Sequence, residues 1–416
     1  MKISNQPPKG TADWLPAEFK IRQYVFNAWR RVCLRYGYEE YLTPLVEAAE
    51  IYRAKSGEDV GGKELVTFTD LGGRELSIRP EMTPSVVRLV SRIYEAAPKP
   101  LRYFSIANFM RNEKPQRGRN REFWQLNCDI FGSDSAQADR EIIQLALDLM
   151  LEFKPPKNSF VLGISSRKLV EALFQATGLR QARRVEFFRV LDKYHKLSQI
   201  DFQERLKILG LAGQQLSLVR DFMSGQARGE WFKKAYREIE ELIKALTALG
   251  YGQYVEFNPT VIRGFDYYDG LVFEVFDRHP DNNRSLFGGG RYNGLAGLFG
   301  AKSFPAVGFA PGDEPLRLFL ASWKLMPKDA ELGQPIWYLP LLDGDLTEQV
   351  WVLAKTLRAA GRAVVLGLEE QKISKALALA DKQGWAKTVI LGQSEAAAKH
   401  YKIKDMESGR ETVAKL

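Results

Sequence analysis

Apolar residues recur at helical spacing near the start of the chain. Phe19, Tyr24, Val25, Ala28, Val32 and Cys33 predict an amphipathic helix over 18–36, punctuated by Gly37. YLTPLVE (Tyr41–Glu47) reads as a short strand. Pro44 within it cannot donate to a ladder, so this strand belongs at an edge or an interface. Leu65–Asp70 and Glu75–Pro80, joined by LGGR, predict a hairpin, and helical spacing returns over 83–95. LRYFSIANFMRNE and REFWQLNCDIFG then alternate as strands do, separated by the basic loop KPQRGRN with Gly118 at its tip. A helix follows over 139–153 and a strand in NSFVLGISS. The stretch 167–250 reads as wholly helical, with Ile239, Leu242, Ile243 and Leu246 on one face of its last helix.

Strands resume in YVEFNPTVIRG and LVFEVFD, followed by the glycine-rich FGGGRYNGLAGLFG and by FPAVGFAPGDEPLRLFL. A polar, turn-rich stretch at 326–334 predicts a linker. Beyond it, strand and helix alternate through IWYLPL, AVVLGL and TVILGQ, the pattern of a small α/β domain with a largely parallel sheet over 335–416. Residues 1–325 instead predict an α+β domain with a mainly antiparallel sheet and a helical insertion at about 167–250.

Composition removes several chemistries. The 416 residues contain only Cys33 and Cys128, and only His195, His279 and His400, each isolated. A disulfide framework is excluded, no metal-ligand spacing is present, and zinc hydrolysis and histidine-dependent triads lose their residues. The chemistry must run on Arg, Glu, Asp, Gln and Tyr. No apolar run is long enough to span a membrane, and MKISNQPPKG has no apolar core of a secretory signal, so a cytoplasmic protein is expected. The net charge of +9 fits a nucleic acid, an anionic membrane or a polyphosphate as partner. Two thirds of that excess, +6, lies between Ser166 and Gly250.

Neither common nucleotide cradle is present. GGKE (Gly61–Glu64) lacks the spacing and the Ser/Thr of a P-loop, and GGGRYNG does not match the dinucleotide fingerprint. What stands out is a set of polar residues within apolar strands. Arg111 and Glu113 end one strand, and Gln125 and Asp129, four apart on the next, share a face. Glu81 and Thr83 follow a proline at a helix start, and Arg263 opens GFDYYDGLVFE, where Asp266 precedes Tyr267 and Tyr268. Such groups are costly to bury without partners. One by one they read as structural ion pairs; together they read as a site for a charged polar ligand.

These segments carry a resemblance. RNEKPQRGRNREFWQLNCDIFG resembles motif 2 of the class II aminoacyl-tRNA synthetases, and TPLVE resembles motif 1, whose proline lies at the dimer interface. RGFDYYDGLVFEVFD is similar to the segment peculiar to histidyl-tRNA synthetases, and IRPEMTPS to their histidine-binding loop; KGTADWLP and GGGRYNGL also fit. The C-terminal region resembles the family's anticodon-binding domain.

The resemblance implies activation of L-histidine by ATP, with Mg2+ on the phosphates, and transfer to tRNA(His) by a homodimer. It implies that Arg111 and Arg263 contact the α-phosphate as catalytic residues, with Glu113 and Arg119 also binding ATP. It implies that Glu81, Met82, Thr83, Gln125, Asp129, Tyr267 and Tyr268 form the histidine pocket. Lys114, Gln116 and Arg117 would meet the tRNA acceptor end. One departure is clear: AVGFAPGDEPL puts Pro315 where motif 3 presents an arginine that braces the γ-phosphate. Arg317 would compensate only if its helix started differently. Asp129 stands where the family often has Glu. The Pro315 change keeps an alternative open, a catalytically inactive paralogue that serves as the regulatory subunit of ATP phosphoribosyltransferase. That paralogue typically lacks both the C-terminal domain and the catalytic arginines.

Overall fold

The first apolar stripe becomes a helix over Pro16–Arg35 that buries Val25, Ala28, Trp29, Val32 and Cys33. The computed structural model describes residues 3–54, 59–262, 267–282, 284–328 and 332–416. By contacts the chain divides into two units, Met1–Met326 and Pro327–Leu416. The expected linker includes 329–331, which lie outside the described residues.

The strands of the first unit are β1 (Glu39–Glu40), β2 (Val46–Ala48), β3 (Val66–Thr69), β4 (Glu75–Ile78), β5 (Leu101–Met110), β6 (Glu122–Phe131), β7 (Phe160–Ser166), β8 (Val255–Phe257), β9 (Leu271–Asp277), β10 (Ser285–Arg291) and β11 (Ala306–Phe309). Eight of them make one sheet in the order β1-β5-β6-β11-β10-β9-β7-β8, and β2-β4-β3 make a small second sheet. In the large sheet every pairing is antiparallel except the two outermost, β1 with β5 and β7 with β8. The expected antiparallel core is therefore found. The single strand expected at Tyr41–Glu47 is not. Pairing stops on either side of Pro44, in β1 and β2, and the buried Arg79 guanidinium donates instead to the carbonyls of Thr43 (2.8 Å) and Pro44 (3.3 Å). A proline offers no ladder donor, so carbonyl acceptance is what the segment has left.

The glycine-rich segment supplies a central strand, β10, although a run of glycines carries no strand periodicity. A side chain on Gly289 would collide with the backbone of Gly308 and with Phe309. One on Gly290 would collide with the Leu271 carbonyl and the Tyr268 ring. Glycine here permits close approach of neighbouring strands, not backbone freedom.

The insertion is helical as expected, with helices at Arg167–Thr177, Arg184–Asp192, Gln199–Ile208, Gly213–Met223 and Glu230–Ala248. Their apolar faces, including Leu173, Phe187, Leu206 and Phe222, join the same core as the first helix and β7. The second unit contains β12 (Ile336–Leu341), β13 (Ala363–Glu370), β14 (Lys387–Ile390), β15 (His400–Asp405) and β16 (Glu411–Lys415) in the order β13-β12-β14-β15-β16. Its first three strands are parallel, but β15 and β16 are antiparallel, so the sheet is mixed and not largely parallel. HYKIKD and ETVAK lie at a half-exposed edge and are too polar to announce themselves as strands. No described helix is long and apolar enough to cross a membrane.

Arg291 closes β10 against the helix Ala136–Leu151. It is 5% exposed, pairs with Asp139 at 2.7 Å and Asp134 at 3.3 Å, and donates to the carbonyls of Ser133 and Ser135. Burial still pushes the Asp139 carboxyl up to about 6, Arg291 opposing that rise. Replacing Arg291 with Met should destabilise the protein at pH 8 by about 3–5 kcal/mol, because Asp139 is left charged and unpaired. The loss should shrink at pH 5, where Asp139 takes up a proton. Denaturant titration at both pH values measures this; an equal loss at both would show that Asp139 is not the group left exposed to the cost.

Candidate active site

The face of β6 that carries Gln125, Asn127 and Asp129 lines a cavity of about 960 Å³ in the first unit. Alternation along the strand puts these three amide and carboxylate groups side by side. Glu81 and Thr83 reach the same cavity from the start of the helix Thr83–Ile93, and Tyr267 and Tyr268 from the segment before β9.

One end of the cavity is acidic and aromatic. Glu81 is 4% exposed and accepts a hydrogen bond from the Tyr267 hydroxyl at 3.0 Å. Asp129 is 5% exposed and accepts one from the Tyr292 hydroxyl. Burial pushes the Asp129 carboxyl up to about 7, and the Tyr292 bond offsets only part of that. A side chain on Gly308 would collide with the Asp129 carboxylate, so glycine at this position on β11 makes room for it. The Tyr267 ring centre lies 4.9 Å from that of Tyr268 and 5.9 Å from that of Tyr292. Carboxylates accept only, so this end suits an ammonium donor beside a flat polar ring.

The other end is cationic. The Arg111 Nε donates to the Pro80 carbonyl at 3.0 Å while its guanidinium lies over Phe123, 5.0 Å from the ring centre. These two contacts aim a fork of donors without neutralising it. Glu113 pairs with Arg119 at 3.5 Å, and Gln116, Arg117 and Arg119 line the cavity from the loop between β5 and β6. That loop is closed by reciprocal backbone bonds between Gln116 and Arg119.

Two expected residues fall elsewhere, and a third is not described. Met82 is fully buried in the apolar cluster with Val86 and Val90, its sulfur accepting from Thr43, and is not on the cavity wall. Lys114 is exposed and outside the lining. Arg263 lies outside the described residues.

The stretch with Pro315 forms the helix Asp313–Ser322. Asp313, Glu314, Pro315 and Leu318 line the cavity. Arg317 does not; it makes a forked pair with Glu314 at 2.9 and 2.7 Å. Buried Asp313 pairs with Arg22 at 2.7 Å, and the Arg22 guanidinium stacks 3.6 Å over Trp14. KGTADWLP thus buttresses the start of this helix.

Asn127, Tyr292, Glu274, Arg284, His195 and Lys196 also stand on the cavity wall, beyond the residues expected from the sequence. Asn127 was legible, since period-two spacing places it between Gln125 and Asp129. The His195 Nε2 sits 2.8 Å from the Thr260 hydroxyl, a contact across 65 residues that no local pattern announces.

Residues 10–315 match the family described as histidyl-tRNA synthetase, and residues 336–416 the family described as anticodon binding domain. The histidine–tRNA ligase of Leptospira biflexa serovar Patoc is 38% identical over 98% of this chain and 94% of its own length. The chain belongs to the histidyl-tRNA synthetase family. Two solved structures show the same fold at lower identity. One, a histidyl-tRNA synthetase from Nostoc sp. PCC 7120, has a TM-score of 0.82 at 22% identity and covers 100% of this chain and 97% of its own. The other is titled an ATP phosphoribosyltransferase regulatory subunit/histidyl-tRNA synthetase from Bacillus halodurans C. It has a TM-score of 0.75 at 23% identity over 92% of this chain and 97% of its own.

For this family member the buried acid gives a pH signature. Asp129 is raised above its ordinary value on folding, so its contribution to stability is present below about pH 4 and lost as the pH rises through about 7. Asp129→Asn should therefore raise the melting temperature of the ligand-free protein at pH 8, gain little at pH 5, and weaken histidine binding. A variant less stable than its parent at pH 8 would refute the assignment.

Proposed function

We propose that this protein activates L-histidine with ATP to histidyl-adenylate and then transfers the histidyl group to the 3′ end of tRNA(His). The observation that carries the reading is that one cavity joins the buried Glu81–Asp129–tyrosine end to the Arg111 end. Histidine would place its ammonium near Glu81, Gln125 and Asp129 and its imidazole against Tyr267 and Tyr268. Its carboxylate would then face Arg111. ATP would meet Arg111, Arg263, Glu113 and Arg119, with Mg2+ arriving as the counter-ion of the phosphates. The histidine carboxylate attacks the α-phosphorus, pyrophosphate leaves, and no protein nucleophile is required. Fixed guanidinium charge at the α-phosphate supplies transition-state stabilisation, and holding both substrates in one cavity supplies proximity.

Gln116 and Arg117, on the cavity-lining loop, and exposed Lys114 would meet the acceptor end of the tRNA, and 336–416 its anticodon. The protein acts in this reading as a cytoplasmic homodimer. Leu42 and Leu45 flank the motif 1 proline, are 68% and 42% exposed, and offer an apolar surface for a second copy.

The purified protein with Mg2+ should exchange pyrophosphate with ATP when histidine is present and not with other amino acids. Histidine binding without any exchange would sink the synthetase reading and favour the regulatory paralogue, the reading that Pro315 keeps in view. In an active parent, Arg263→Ala should slow adenylate formation by at least about 10²-fold, as expected for loss of a transition-state charge contact. A near-normal single-turnover rate would remove that role.

A further inference from the structure

We propose that Arg284 binds the terminal phosphates of ATP, supplying the positive charge that Pro315 cannot. The inference rests on the ATP-dependent reading above. A nucleoside triphosphate remains anionic at its tail even with one Mg2+ bound, so the cavity needs a cation where that tail emerges. The helix Asp313–Ser322 offers none: Asp313 and Glu314 are acidic, Pro315 is neutral and has no N–H, and Arg317 is held by Glu314. Arg119 shares its charge with Glu113.

Arg284 lines the same cavity and has no carboxylate partner among the described residues; its Nη1 donates to the backbone carbonyl of Arg117 at 2.9 Å. That contact locates it. The next residue, Gly118, lies so close to the helix that a side chain there would come within 3.2 Å of Leu318. Leu318 is one turn beyond Pro315 on the same helix and also lines the cavity. Arg284 therefore stands where the tip of the motif 2 loop meets the Pro315 helix. Its backbone is held on both sides: the Asp277 N–H donates to the Arg284 carbonyl at 3.1 Å, and the Arg284 N–H to the Asn282 carbonyl at 2.7 Å. Buried Asp277 in turn accepts from the Trp323 indole at 2.9 Å, just past the end of the same helix. A guanidinium fixed in this way loses little freedom when an anion arrives, and keeps donors for a phosphate after one is used on a carbonyl.

Charge and latch roles separate by substitution. Arg284→Gln keeps an N–H for the Arg117 carbonyl but removes the charge; Arg284→Lys keeps the charge. In pyrophosphate exchange, Arg284→Gln should raise the KM for ATP by about 10- to 100-fold, the range for a lost charge-assisted contact, and leave the KM for histidine within about twofold. Arg284→Lys should retain most of the ATP affinity. In equilibrium titrations without turnover, Arg284→Gln should weaken ATP by the same factor and leave AMP unchanged. A parent without exchange activity would sink the proposed activity and not this role, since the titrations still read the contact. Unchanged ATP binding in Arg284→Gln, or equal losses for ATP and AMP, would overturn the proposal.

Discussion

A carboxylate buried in the middle of a sheet is the constraint on which the rest depends. Asp129 lies on β6 with 5% exposure, and among the described side chains the Tyr292 hydroxyl donates to it. Burying such a group costs stability unless a ligand or a hydrogen bond offsets it. The neighbouring strands are built around it. Gly308 on β11 leaves room for the carboxylate, Gly289 lets β10 close onto β11, and Gly290 admits the Tyr268 ring. Arg291 then locks the end of β10 to the helix Ala136–Leu151, which fixes Tyr292 beside Asp129. These glycines are the means by which a polar pocket fits inside an antiparallel sheet.

The cationic end is organised differently. Arg111 is aimed by a carbonyl and an aromatic face, and Arg284 by a carbonyl, so both keep their charge available. Arg317 and Arg22 instead spend theirs on Glu314 and Asp313. Two kinds of arginine are thus distinguished, those on the cavity wall left for an anion and those outside it that hold the protein together. Which kind an arginine belongs to depends on whether a carboxylate is within reach, one turn away for Arg317 and nearly three hundred residues away for Arg22.

Much of the site could be read in advance because its residues violate local expectation. Gln125 and Asp129 at strand spacing, Glu81 after a proline and paired tyrosines beside Asp266 are polar groups where apolar ones would pack. The antiparallel core and the helical insertion followed from periodicity. The mixed sheet of the second unit did not, because β15 and β16 carry too many lysines and glutamates to show a buried face. Met82 illustrates the opposite error: it adjoins a site residue in sequence, but at the start of a helix one position turns a side chain from cavity to core.

Residue order alone determined the alternation of strands and helices, the scarcity of histidine and cysteine, the excess of positive charge and the family. These depend on composition and on spacing within one element. Only the tertiary structure decided that His195 and Lys196 of the insertion border the cavity, that Tyr292 serves Asp129, and that Arg284 reaches the Arg117 carbonyl near the Pro315 helix. Each is a contact between segments tens to more than a hundred residues apart. Hydrogen bonds and ion pairs act over a few ångströms of space, and no period along the chain encodes which distant groups will share that distance.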